Sequence, residues 1–143
     1  MSTTYVIKSS EDAEQQIVIQ WARMMMERWP ELALLHHIPN GGSRNRKEAV
    51  KLKRMGVLAG VPDLHLPVAK AGYNSLYIEM KYGDGRLQTT QKAFLSAAAA
   101  ERNYCIVCYT AEDAIDVLEK YMNNRAYENL SILKEGKRTG TVL

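Results

Sequence analysis

The sequence predicts an α/β domain in which a mixed four-stranded sheet is flanked by helices, and three observations carry that prediction. Segments of helical and extended character follow one another as helix, strand, helix, strand, strand, helix, strand, helix, an order that calls for a sheet covered by helices. Residues 75–82 alternate with a period of two, setting Leu76, Ile78 and Met80 on one face and Tyr77, Glu79 and Lys81 on the other. The length of 143 residues suits one core, and 46% hydrophobic against 24% charged residues is enough to fill it.

Each element has a local cause. Ser9 or Ser10 can cap a helix that opens with Glu11, Asp12 and Glu14, acids placed where the helix dipole favours them. Ile17, Val18, Trp21, Met24 and Met25 then recur at helical spacing, and Pro30 limits the helix to about Arg28. Residues 33–38 are expected as a short strand, followed by the glycine-containing loop 39–43 and a second helix over 46–55. Residues 63–66 alternate like a strand until Pro67, and 69–74 make a hairpin-like connection to strand 75–82. Thr89 or Thr90 can cap a helix reaching about Arg102, residues 104–109 form the last strand, and 111–122 the last helix. We therefore divide the chain into an N-terminal arm (1–10), a folded domain (11–122) and a polar C-terminal tail (123–143).

Several function classes are set aside by composition. No run of eighteen apolar residues and no basic-then-apolar leader is present, so a non-membrane, cytoplasmic protein is expected. The two cysteines, Cys105 and Cys108, have CxxC spacing, but residues three apart in a strand face opposite ways and cannot chelate together. No phosphate-binding Gly-rich loop with a following Lys, and no dinucleotide fingerprint, occurs. The net charge of +3 is mild, but its distribution is uneven. Six basic residues (Arg44, Arg46, Lys47, Lys51, Lys53, Arg54) fall within 44–54 beside a single acid, Glu48. Lys47, Lys51 and Arg54 share one helical stripe, opposite Ala49 and Leu52, and can meet phosphates while the helix packs inward. The adjoining Asn40, Gly41, Gly42 and Ser43 allow the backbone to approach a strand closely, with Arg44 beside them.

The chemistry concentrates at Asp63 and, sixteen residues later, Glu79. On strands joined by a hairpin the two carboxylates can project side by side, where they either share a proton or bind a cation. Oxygen ligands select a hard ion such as Mg²⁺ or Mn²⁺. Alternation puts Lys81 on the Glu79 face and turns Met80 into the core, leaving its backbone carbonyl for the site. A lysine pKa of about 10.4 must fall by roughly three units before it serves as a base. We therefore read Lys81 as a protonated group that orients the attacking water and stabilises charge on phosphorus, with a general-base role as the alternative.

Val61-Pro62-Asp63 with Glu79-Met80-Lys81 resembles the PD-(D/E)xK signature of restriction-endonuclease-like nucleases. With Glu14, the Pro39-to-Arg44 loop, Gly60 to Leu64 and Gln91, the order and spacing resemble the VRR-NUC (virus-type replication-repair nuclease) family in its stand-alone, phage-like form. That resemblance implies a restriction-endonuclease-like core and metal-dependent hydrolysis of phosphodiester bonds, with Asp63, Glu79 and Lys81 as its centre. It also implies Glu14 and Gln91 as helpers, Glu14 reaching the metal and the Gln91 amide orienting a carboxylate, Lys81 or a phosphate. A structure-specific enzyme for branched, Holliday-junction-like DNA in replication, repair or recombination, acting as a homodimer in a phage or bacterial host, is the expected whole. A non-catalytic DNA-junction-binding module on the same scaffold is the alternative.

Overall fold

In the computed structural model, residues 10–39, 45–129 and 140–141 are described. Helix α1 (Glu11–Met24) starts where the Ser10 hydroxyl accepts the Ala13 N–H at 3.1 Å. It ends four residues before the expected limit: Met25–Glu27 tightens into a 3₁₀ turn, and Pro30, at the first turn, opens another over Pro30–Leu34. The strand expected over 33–38 therefore shrinks to β1 (His36–His37), because residues 33 and 34 are spent in that turn.

Helix α2 (Arg46–Arg54) is capped by the Asn45 side chain, which accepts the Lys47 N–H at 3.0 Å, and it buries none of its residues. Strands β2 (Leu64–Leu66) and β3 (Ser75–Met80) pair antiparallel with Leu64 opposite Ile78. Helix α3 (Thr89–Ala100) crosses over to β4 (Asn103–Cys108), which lies parallel to β3. Its cap is Gln88 rather than Thr89 or Thr90: the Gln91 side chain turns back to accept the Gln88 N–H at 2.8 Å. Helix α4 (Ala111–Met122) begins at Thr110, whose hydroxyl accepts the Asp113 N–H at 3.1 Å.

The four predicted strands lie in the order β1-β2-β3-β4, and the tail adds a fifth, β5 (Gly140–Thr141), antiparallel to β4. Two cores sit on opposite faces of this sheet. Leu76, Ile78, Met80, Ile106 and Cys108 pack with Val18 and Ala22 of α1 and with α4. Cys105, Val107 and Tyr109 pack with Leu95 of α3, Tyr77 lying against them. The alternation of β3 is thus the division between two cores, and Cys105 and Cys108 fall on opposite sides of it. Among the described residues no helix is long and apolar enough to cross a membrane.

Candidate functional site

The site forms where the start of β2 meets the end of β3. Asp63 immediately precedes β2, one step beyond the Leu64–Ile78 pair, which brings it opposite Glu79. It is held from two sides. Its carbonyl accepts the Ile38 N–H and the His37 Nδ1–H, each at 2.8 Å, while its carboxylate Oδ2 accepts the Met80 N–H at 2.8 Å. The carboxylate therefore needs no rotamer search to point at β3.

Glu79 is only 1% exposed. Its Oε1 lies 3.3 Å from the Gln91 amide nitrogen, a donor, and 3.9 Å from Lys81 Nζ, whereas its buried Oε2 has no hydrogen-bond partner. Burial first, and the neighbouring Asp63 carboxylate second, push the Glu79 pKa up to about 9, with Lys81 opposing. Lys81 is itself buried, and its N–H continues the parallel ladder to the Cys108 carbonyl at 2.9 Å, which fixes the side chain beside Glu79. The Gln91 amide is oriented by its other end, since its oxygen is engaged at the α3 cap.

A third carboxylate completes the cluster, and it is Glu11. Carboxylate oxygens of Glu11, Asp63 and Glu79 all lie within 4.8 Å of one another. Burial, then the Asp63 charge, raises the Glu11 pKa, and Lys81 counteracts them. Glu14, the acid expected here, is placed elsewhere: its Oε2 accepts the Ala111 N–H at 3.2 Å and so serves the first turn of α4. The residues are three positions apart on α1: Glu11 meets the Asp63–Glu79 side, and Glu14 meets the start of α4, just past β4. The signal that identifies Glu11 is its stripe, since Val18 and Ala22, the two buried residues of α1, follow it at seven and eleven positions.

Oxygen donors alone, one of them buried and unpartnered, fit a hard divalent cation. Asp63, Glu79, Lys81 and Gln91 are brought together as the sequence suggests. Of the residues expected to meet nucleic acid, Arg46, Lys47, Lys51 and Arg54 are exposed on α2, while Asn40, Gly41, Gly42, Ser43 and Arg44 lie outside the described residues. His65 is engaged in packing: it stacks on Tyr77 at 4.2 Å and its Nε2 lies 3.1 Å from Ser75 Oγ.

Comparison with known proteins gives the family and supports the fold. The family model of the VRR-NUC domain matches residues 3–112. A solved structure described as a VRR-NUC domain protein is 30% identical, covers 82% of this chain and 92% of its own, and superposes with a TM-score of 0.70. No curated protein matches the chain. The α/β architecture with a mixed sheet is common to both structures, and the matched segment holds Asp63, Glu79, Lys81 and Gln91. The chain belongs to the VRR-NUC family, a family of nuclease-type DNA-processing domains.

Proposed function

We propose that this protein is a divalent-metal-dependent deoxyribonuclease that hydrolyses phosphodiester bonds in branched, Holliday-junction-like DNA. The observation that carries the reading is the buried, unpartnered Oε2 of Glu79 inside a 4.8 Å cluster of three carboxylates beside a buried lysine. Asp63, Glu79 and Glu11 hold the cation, which we take to be Mg²⁺ or Mn²⁺. The Met80 carbonyl is a fourth candidate ligand, since a strand residue points its C=O to the same edge as its N–H, and the Met80 N–H points at Asp63. When bound, such an ion shields phosphate charge and makes water a stronger nucleophile.

The chain's own groups do the rest. Lys81, kept beside Glu79, orients the attacking water and stabilises negative charge gathering on the phosphate oxygens. Gln91 holds Glu79 in one orientation, so the ligand set is pre-formed. The exposed stripe Lys47, Lys51 and Arg54 binds backbone phosphates. A homodimer fits the paired incisions that a junction requires, and the free buried thiols suit an intracellular setting.

The test is cleavage of end-labelled four-way junctions, flaps and plain duplex with Mg²⁺, Mn²⁺ or EDTA. Metal-dependent cutting of branched DNA, lost in Glu79→Ala and Asp63→Ala, is the expected result. Wild-type protein that cuts none of these substrates with either metal, or Glu79→Ala that cuts normally, overturns the reading.

A further inference from the structure

A second feature adjoins the carboxylates without belonging to them. Between α2 and the beginning of α3 lies an open cleft of about 890 Å³, a size that suits a small organic group rather than a water cluster. Its α2 wall is formed by the apolar Ala49 and Leu52 with Lys53 beside them, and Val57 and Leu58 continue the apolar surface, both well exposed. Its α3 wall is polar, formed by Gln88, Thr90 and Gln91. The floor is fixed at Gly60: its φ is +89°, and an added Cβ there sits 2.4 Å from the Thr90 backbone, so the loop rests directly on the first turn of α3.

Three properties of the cleft identify an occupant. Its apolar surface is left exposed by a helix that buries nothing, so it is not core. Its polar wall offers the Thr90 hydroxyl and the Gln88 amide N–H groups, which match the hydrogen-bonding edge of a heterocyclic base, Gln91 being engaged with Gln88 and Glu79. The helix beside it carries five cations against one acid, a balance that complements a phosphodiester chain. Gln91 places the cleft next to the carboxylates, because this residue lines the cleft and its side chain donates to Glu79.

We infer that the cleft receives one unpaired nucleobase adjacent to the phosphate being cut. In a duplex the bases are stacked and paired and do not reach such a cleft, so it selects DNA with a single-stranded nucleotide at the cut site, as at a flap or an open branch point. This inference rests on the nuclease reading and adds the feature of the substrate that is recognised.

Fluorescence anisotropy in Ca²⁺ compares a short labelled thymidine strand with a strand of equal length made of abasic sites. The base-bearing strand is expected to bind about tenfold more tightly. Ala49→Trp, which fills the cleft, is expected to abolish that difference while leaving affinity for the abasic strand unchanged. Leu58→Ala, at an exposed position that does not support the fold, is expected to shrink it. Lys47→Ala should weaken both strands equally. Equal affinity of the wild type for both strands, or an undiminished preference in a folded Ala49→Trp variant, overturns the inference. Failure of the nuclease reading shows separately, as a wild type that keeps its base preference yet cuts nothing with Mn²⁺.

Discussion

At the scale of the residue, two glutamates a single helical turn apart have been given different work. Glu11 joins Asp63 and Glu79, and Glu14 holds a backbone N–H at the start of α4. Both occupy the first turn of an amphipathic helix, where either acid could be expected at the site, and only the narrower stripe shared with Val18 and Ala22 favours Glu11. What decides is where each falls around α1 as the helix packs on the sheet, Glu11 towards Asp63 and Glu79 and Glu14 towards the start of α4. The consequence is a clean dissociation. Glu11→Gln should weaken Mn²⁺ binding by at least about tenfold in isothermal titration with little change in unfolding midpoint. Glu14→Gln should leave the titration as it was and cost about 1 kcal/mol in chemical denaturation, the ordinary loss of a charged cap. The juxtaposition of Asp63, Glu79 and Lys81 was legible without coordinates because the hairpin spacing sets Asp63 opposite Glu79 and alternation puts Lys81 on the Glu79 face.

At the scale of the element, α2 is the piece whose sequence and surroundings agree least with a purely structural role. Its net charge is strongly positive, no residue is buried, and its inner residues line the cleft rather than the core. Such a helix contributes little to folding and much to long-range attraction of a polyanion. Replacing Lys47 and Lys51 together by alanine should lower the slope of log affinity against log salt by about 1.8 for duplex DNA, since each phosphate contact contributes about 0.9. The double variant should still melt as a folded protein. A slope equal to that of the wild type would show that these lysines do not meet phosphates. Other elements departed from expectation for local reasons. Pro30 starts a 3₁₀ turn that consumes most of the predicted first strand. A two-residue strand containing Gly140 has no periodicity to announce it, so β5 was not visible in the tail.

At the scale of the whole molecule, the carboxylate cluster acts against the stability of the metal-free fold. Glu79 has an ordinary pKa near 4.5 when unfolded and about 9 in the folded chain, where burial and Asp63 disfavour its charge. Between those values the unfolded chain has lost the proton and the folded chain keeps it, so unfolding releases a proton and stability falls as pH rises. The melting temperature of metal-free protein should therefore drop as pH is raised from about 5 towards 9, and Glu79→Gln should flatten that profile. A divalent ion reverses the preference by favouring the carboxylate, so the rise in melting temperature on adding Mn²⁺ should grow with pH. A metal-independent, pH-flat wild type would contradict the burial of an ionisable group at this position. The fold class was readable because two cores on one sheet impose strict alternation on β3, whereas the third acid and the cleft depend on how separate helices settle against that sheet.

Gln91 ties two of these scales together. One end of its amide stops the unravelling of α3, and the other steadies Glu79, 12 positions earlier in the chain. Two replacements at this position disturb the α3 cap and the carboxylate cluster together: Gln91→Glu sets a negative group against an already crowded pair, and Gln91→Leu leaves both neighbours unsatisfied. Variation at this site must therefore proceed around Gln91, through the walls beside it.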